Sequence, residues 1–313
     1  MRIVTTLELP DSIRESLEEL GGVAGPEGWE EHLAEAEALI ALLTVRVDER
    51  LLQRAPKLRI VANAVVGYDN VDVEACRARG VVVTNTPDVL TDATADLAMA
   101  LLLATVRRLP QAERSLRAGE FRGWGFWDYL GGDLQGAILG ILGMGRIGQA
   151  VARRARAFGM RIQYTNRSPV DPKVELELEA RRVNWDTLLT TSDVLSLHAP
   201  ATPETRHLLD AAALARMKPG SYLVNTARGT LVDETALVRA LRDGPLAGAG
   251  LDVYEREPEV EAGLLELDNV VLLPHIGSAT RATRESMASL AARNVRSVLT
   301  GGGPLTPVPA AER

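Results

Sequence analysis

Three polar residues stand in order along the last third of the chain, each in a short distinctive run. Arg228 lies in Asn-Thr-Ala-Arg-Gly, Glu257 in Asp-Val-Tyr-Glu-Arg-Glu-Pro, and His275 in Leu-Pro-His-Ile-Gly-Ser-Ala-Thr. A guanidinium fork holds a carboxylate and polarises a carbonyl. An imidazole delivers or takes a proton near neutral pH. A carboxylate touching that imidazole favours its protonated form and fixes its orientation. Upstream runs Gly143-Met144-Gly145-Arg146-Ile147-Gly148, a glycine loop of the kind that cradles phosphates. The combination suits hydride transfer between a nicotinamide dinucleotide and a 2-oxo acid, with His275 as acid in reduction and base in oxidation. Singly, each residue also has a structural reading: a turn at Arg228-Gly229, a solvated Glu257, a turn at His275. Behind a dinucleotide loop, the set reads as catalytic.

The glycine loop draws its meaning from context. An apolar strand over 137–142 leads into it and a helix over 146–158 leaves it. Gly143 permits the tight turn, Gly145 lets backbone approach a pyrophosphate, and Gly148 lets helix and strand pack closely. The helix start, at Arg146 and Ile147, offers free N–H groups and a partial positive charge to phosphate. About 20 residues past such a loop, NAD enzymes carry an acid that binds the ribose hydroxyls. Here Asn166-Arg167-Ser168 stands there. Without the acid there is no repulsion against a 2′-phosphate, and Arg167 and Ser168 can bind one. NADP(H) is therefore the expected cofactor, with NAD(H) as the alternative.

The elements that must position these groups alternate. Strands are predicted over 2–7, 38–44, 58–63 and 81–85, and helices over 11–20, 48–54 and 73–79, with Asp11 or Ser12 capping the first. A long helix, apolar nearly all round, is predicted over 91–108 as a connector between domains. Residues 119–133 read as a loop in which Trp124, Phe126, Trp127 and Tyr129 concentrate. A second alternating block runs from Gly136 through strands over 160–165, 194–198, 221–226, 248–253 and 270–273 to a final helix over 281–299. Alternation of this kind predicts parallel sheets with crossover helices.

Composition bounds the rest. The chain has 313 residues, 46% apolar and 25% charged, enough for two globular domains. A net charge of −7 argues against nucleic acid as the main partner. The longest apolar run, over 97–106, is too short to cross a bilayer, and the N-terminus reads as a strand rather than a leader, so the cytoplasm is expected. The single cysteine, Cys76, reads as a small buried hydrophobe in a reducing compartment. No group of residues has metal-ligand spacing, so no metal is expected. His32 reads as a surface residue, His207 as part of a polar loop, and His198 as the end of a strand on the cofactor side.

These motifs bring the chain to a family. It resembles the D-isomer-specific 2-hydroxyacid dehydrogenases, and within them the glyoxylate/hydroxypyruvate-reducing branch. The likeness covers nearly the whole chain. It rests on Val66-Gly67-Tyr68-Asp69-Asn70-Val71-Asp72, on residues 86–96 (Thr-Pro-Asp-Val-Leu-Thr-Asp-Ala-Thr-Ala-Asp), on the glycine loop, on the Arg228 run, on Gly250-Leu251-Asp252-Val253 and on the His275 run. The resemblance implies two Rossmann-like, doubly wound parallel-sheet domains of α/β class, the cofactor domain inserted into the substrate domain. The substrate domain is expected over 1–96 and 282–313 and the dinucleotide domain over 97–281.

It further implies catalytic Arg228, Glu257 and His275, and backbone N–H groups of Val66 and Gly67 holding the substrate carboxylate. Thr94, Thr226, Ala227, Asp252 and Gly277 are expected along the cofactor. The implied reaction is reduction of glyoxylate and hydroxypyruvate to glycolate and D-glycerate. A homodimer is implied too, with Trp124 or Trp127 reaching the partner or packing in the interface. Two alternatives stand beside this: a relative acting on phosphoglycerate or a bulkier 2-oxo acid, and a dinucleotide-sensing corepressor-like binding protein. The lack of long disordered extensions weighs against the latter.

Overall fold

The computed structural model describes residues 1–309 and falls into two compact units. The first comprises Met1–Leu90 together with the chain from Ser278, and the second comprises Thr91–Gly277. The second unit is thus inserted in the sequence of the first.

The first unit runs β1 (Arg2–Thr5), α1 (Asp11–Glu18), β2 (Gly22–Ala24), β3 (Ala38–Ala41), α2 (Glu49–Arg54), β4 (Ile60–Asn63), α3 (Val73–Ala78) and β5 (Val82–Thr84). All five strands are parallel, in the order β2-β1-β3-β4-β5. β3 and β4 are buried at every residue, as strands covered on both faces must be. Asp48 and Asp72 cap α2 and α3 by accepting the N–H groups of Leu51 and Ala75. Cys76 lies buried in the core on the α2–α3 side of the sheet, and burial pushes its thiol up to about 11.

The second unit contains α4 (Thr91–Val106), α5 (Leu109–Arg117), β6 (Ile138–Leu142), α6 (Arg146–Ala157), β7 (Arg161–Thr165), α7 (Pro172–Leu178), β8 (Arg181–Arg182), α8 (Trp185–Thr191), β9 (Val194–Leu197), α9 (Ala211–Ala215), β10 (Ser221–Asn225), α10 (Glu234–Arg242), β11 (Leu246–Leu251), α11 (Ala262–Leu265) and β12 (Val270–Leu272). Its seven strands are parallel, in the order β12-β11-β10-β9-β6-β7-β8. The order reverses between β6 and β9. In doubly wound sheets the crevice at such a reversal, beyond the strands' C-terminal ends, is where ligands bind. α4 packs on α6 and across β10 to β12. Its close seat on β11 needs Gly250, where a Cβ would fall 2.6 Å from Leu101 Cγ.

The last helix among the described residues is α12 (Arg281–Leu299), capped by the Thr280 hydroxyl, which accepts the Thr283 N–H at 3.1 Å. Ala288, Ala291, Ala292, Val295, Val298 and Leu299 form one apolar face against Ile3, Ile40 and Ile60. That face covers the side of the first sheet opposite α2 and α3, completing a three-layer unit.

The two parallel-sheet α/β domains agree with the expected fold. Some local readings differ. The long helix stops at Val106 rather than 108, because Arg108 turns left-handed at φ +53° and α5 begins beside it. Pro110 sits in the first turn of α5, where its missing N–H needs no partner. Pro10, not Asp11 or Ser12, occupies the cap of α1. β2, α7 and β8 escape a periodicity reading because they are short and partly exposed. No helix among the described residues is long and apolar enough to cross a membrane.

Candidate active site

The glycine loop sits where β6 meets α6. Gly143 takes φ +93°, and a Cβ there would fall 2.6 Å from the Ala199 nitrogen and 2.7 Å from the His198 carbonyl carbon. The turn after β6 is thereby pressed against the end of β9, across the strand-order reversal. A Cβ at Gly148 would fall 2.3 Å from the Gly143 carbonyl oxygen, so only glycine lets the helix approach its own loop. Gly145 differs. Its Cβ position has no heavy atom within 4 Å, so open space lies over the loop backbone. Gly145 is also the cap of α6 and has no side chain of its own to accept an N–H of that helix. The amide of Gln149 steadies the loop by donating to the Met144 carbonyl at 3.2 Å.

β7 ends beside this loop, with Thr165 accepting the Gly143 N–H at 3.0 Å. Asn166, Arg167 and Ser168 follow. The Asn166 amide donates to the Ser168 carbonyl at 3.2 Å, closing the turn. Arg182 on β8 donates to the carbonyls of Asn166 and Arg167, at 3.1 and 3.3 Å. The sequence reading did not single out Arg182, since it lies 15 residues beyond Arg167 on a two-residue edge strand.

Arg228 follows β10. Its turn is organised by Asn225, a buried residue the sequence reading also passed over. The Asn225 amide donates to the Arg228 carbonyl at 2.9 Å and accepts the Ala227 N–H at 3.0 Å. One side-chain amide therefore ties both ends of the turn. Gly229 is required next, because a Cβ there would come within 1.9 Å of the Tyr254 carbonyl carbon. Thr226 is buried, and among the described residues its hydroxyl has no partner.

Asp252 follows β11 and is 1% exposed. One of its oxygens accepts the Ile276 N–H at 2.7 Å and the other the Gly277 N–H at 2.8 Å. Burial pushes this carboxyl above the usual carboxylate range, against the pull of the two N–H bonds and the nearby His275. Asp252 thus clamps the backbone immediately after His275. Thr94 on α4 lies at the same place, its methyl 3.5 Å from a Cβ at Gly277. His275 itself adopts φ +54°, a left-handed conformation uncommon for a residue with a side chain.

Glu257 completes the arrangement. One oxygen accepts the Tyr254 N–H at 2.9 Å, and the other lies 2.8 Å from His275 Nδ1. Burial raises this carboxyl, but the bonds from His275 and Tyr254, with the charges of His275 and Arg228, outweigh burial and leave it below the ordinary range. It is an ionised partner, which assigns the Nδ1 hydrogen to the side facing it and turns Nε2 away.

The other histidines have different surroundings. His198 shares a 2.8 Å hydrogen bond with the Ser196 hydroxyl, and desolvation by the protein around it pushes it down to about 4, so it is neutral near pH 7. His207 pairs with Glu255 at 2.7 Å, together with Arg206. His32 bonds Arg2 at 3.1 Å in the first unit.

A dinucleotide fits this set: the open space over Gly145, the helix start without a capping side chain and the unpartnered Thr226 hydroxyl suit one. Comparison with known proteins agrees. Residues 99–277 match the family model described as D-isomer specific 2-hydroxyacid dehydrogenase, NAD binding domain. A glyoxylate reductase of Thermococcus litoralis is 52% identical over 269 residues, which is 85% of this chain and 81% of that one. The crystal structure of a glyoxylate reductase from Paecilomyes thermophila superposes with a TM-score of 0.90 at 39% identity, covering 99% of this chain and 98% of that one. The NADPH-dependent glyoxylate/hydroxypyruvate reductase of Sinorhizobium meliloti, solved with NADP and malonate, superposes with a TM-score of 0.87 at 38% identity, covering 98% and 96%. The glycine cradle, the imidazole–carboxylate pair and these likenesses over most of the chain converge: the protein belongs to the D-isomer specific 2-hydroxyacid dehydrogenase family of oxidoreductases.

Proposed function

We propose that the protein reduces glyoxylate and hydroxypyruvate to glycolate and D-glycerate, using NADPH in preference to NADH. The observation that carries the reaction is the 2.8 Å contact of Glu257 with His275 Nδ1, in the unit that also holds the glycine loop and Arg228. The preference for small acids is supported by relatives named for glyoxylate reduction at about half identity. The preference for NADPH is supported by Asn166-Arg167 where an acid would otherwise stand, and by the solved relative named as NADPH-dependent.

The second unit is read as the dinucleotide domain, with Gly143, Gly145, Arg146, Ile147 and Gly148 at the pyrophosphate. Asn166, Arg167 and Ser168 take the 2′-phosphate, and Thr94, Thr226, Ala227, Asp252 and Gly277 flank the nicotinamide half. When bound, the reduced nicotinamide supplies hydride to the carbonyl carbon. Arg228 binds the carboxylate and carbonyl oxygens of the 2-oxo acid and draws charge towards the latter. His275 gives the proton on Nε2 to the oxygen as the carbonyl becomes an alcohol, and Glu257 balances the imidazolium beforehand. The first unit is read as the substrate domain, with the N–H groups of Val66 and Gly67 taking the carboxylate. A homodimer packed partly through the exposed aromatics near Trp124 and Trp127, in the cytoplasm, completes the reading.

Steady-state reduction of glyoxylate and hydroxypyruvate, with NADPH and NADH side by side, tests it. Turnover with a several-fold or greater preference for NADPH is the expected result. Equal use of NADH would remove the 2′-phosphate assignment and leave the reductase. No turnover with either acid, but turnover with a bulkier one, would move the substrate assignment.

A further inference from the structure

Between β4 and β5 of the first unit, the carbonyls of three successive residues are held by groups on the ends of those strands. The Val65 carbonyl accepts the Thr86 N–H at 3.0 Å. The Val66 carbonyl accepts the Asn85 amide at 2.7 Å. The Gly67 carbonyl accepts the Asn63 amide at 2.8 Å. A trans peptide is planar, with its C=O and N–H pointing opposite ways. Anchoring the Val65 and Val66 carbonyls therefore aims the N–H groups of Val66 and Gly67 away from the strand ends. Among the described residues, those two N–H groups donate to no protein acceptor. A pair of successive N–H groups held in place without an acceptor is an anion site in waiting.

The anchors are themselves braced. Asn63 is fully buried and exchanges hydrogen bonds with the Asn70 side chain, at 3.1 and 3.2 Å. The Asn70 amide also donates to the carbonyls of Leu42 and Val45, at 3.2 and 2.9 Å. Asn85 is held through its main chain by Thr306: its N–H donates to the Thr306 carbonyl at 3.2 Å, and the Thr306 hydroxyl donates to its carbonyl at 2.6 Å. Thr306 in turn is fixed by the buried Asn294 of α12, whose side-chain oxygen Oδ1 accepts the Leu305 and Thr306 N–H groups. The segment after α12 is thereby connected, through one asparagine, to the Val66–Gly67 peptide.

We infer that Asn85 and Asn63 are positioning residues for substrate binding: the Asn85 amide fixes the peptide that carries the Gly67 N–H, the Asn63 amide fixes the peptide that follows it, and together they preorganise the N–H pair that receives the carboxylate of the 2-oxo acid. This rests on the proposed reading of Val66 and Gly67. Neither asparagine touches the substrate. Each acts by holding a peptide plane, and an anion site preformed this way binds without a cost for ordering the loop.

The test is steady-state kinetics of Asn85→Ala, Asn85→Asp and Asn63→Ala with glyoxylate and NADPH, alongside NADPH affinity by fluorescence and thermal melting. Asn85→Asp keeps the size but sets an acceptor against the Val66 carbonyl, so it disturbs the peptide even where the alanine variant relaxes around a water. The expected result is a KM for glyoxylate raised roughly tenfold or more, with kcat within about threefold and NADPH affinity unchanged, since a lost ground-state contact shows in KM. A KM for glyoxylate within about twofold of the wild type in all three variants overturns the inference. So does a parallel decline of kcat, NADPH affinity and melting temperature, which marks a general structural role. The wild type separates the two failures. If it reduces no 2-oxo acid, the reading of the reaction falls and the inference with it; if it is active and the variants keep its KM, only the inference falls.

Discussion

Glu257 Oε2 lies 2.8 Å from Nδ1 of His275. The other oxygen of the same carboxylate accepts the Tyr254 N–H at 2.9 Å, so the carboxylate cannot rotate without breaking a bond on either side. It is held below the ordinary carboxylate range despite its burial. A negative charge in this place stabilises the protonated imidazole that reduction consumes.

Glu257→Gln keeps the shape and removes the charge. Without the charge, the imidazole loses the partner that orients it and balances its positive charge as proton donor. Loss of kcat/KM near neutral pH of roughly tenfold or more accompanies it, and His275→Asn loses on the order of 10²- to 10⁴-fold. Steady-state rates of reduction near neutral pH check both. The stability effect has a definite sign. A carboxyl lowered by folding contributes stability that is fully present above its ordinary value of 4.5 and is lost as pH falls through the folded value. Melting temperature measured from neutral to acid pH is therefore flatter in Glu257→Gln than in the wild type. Unchanged turnover together with an unchanged melting profile would show that the pair carries no charge coupling.

Asp252→Asn replaces one of two acceptors by an amide donor facing the N–H of Ile276 or Gly277. A buried N–H then loses its partner, which costs about 1–3 kcal/mol. The backbone after His275 is released at the same time. Denaturant unfolding is expected to show that loss, and turnover to fall more than NADPH affinity. Equal stability of variant and wild type would mean that the clamp is dispensable.

Two glycines of one loop are expected to fail differently. Gly143→Ala meets backbone of Ala199 and His198 and adopts φ +93°, so it destabilises the fold by roughly 1–3 kcal/mol. Gly145→Ala meets nothing within 4 Å in the protein and is expected to melt like the wild type. Its methyl instead occupies the space assigned to the pyrophosphate, raising the NADPH dissociation constant on the order of tenfold. Melting and fluorescence titration of the two variants check the contrast, and equal NADPH affinity in Gly145→Ala counts against the cradle.

Arg167→Ala bears on the cofactor alone. Loss of a charge-assisted bond to a phosphate costs about 1.5–3 kcal/mol, so the KM for NADPH rises at least about tenfold while that for NADH stays within about twofold. A parallel rise in both would make Arg167 a structural residue of the turn that Arg182 closes.

The exposed aromatics bear on assembly. Trp124 is 82% and Trp127 75% exposed, beside Phe126 at 66%, and Phe126 makes edge contacts with both. Such a cluster is expected to be covered by a second copy of the chain. Sedimentation velocity of the wild type is expected to give a dimer, and Trp124→Ser with Trp127→Ser a concentration-dependent shift towards monomer. A monomeric wild type would remove the assignment.

How far the sequence speaks depends on how local the physics is. The glycine loop was legible because its three requirements fall within six residues of an apolar strand and the start of a helix. Arg228, Glu257 and His275 were legible as a set because their chemistry is unusual in combination, and the alternation of strands and helices announced two parallel sheets. Their support was not legible. Asn225, Asn63, Asn85 and Arg182 look like ordinary polar residues in the chain, yet each organises a turn through side-chain bonds that only folding brings about. Asn85 takes one partner from Val66 and another from Thr306, which is 221 positions away. Asp252 finds its acceptor role 24 and 25 positions downstream, at Ile276 and Gly277. The left-handed turn at His275 has no sequence signal either, since its side chain disfavours that conformation and the surrounding bonds impose it. By itself the sequence determined which reactive groups exist and which periodic segments must pack, because those follow from residue type and short spacing. The tertiary structure alone decided which buried amides and carboxylates hold those groups still, because a hydrogen bond between distant positions exists only when the fold has closed the distance.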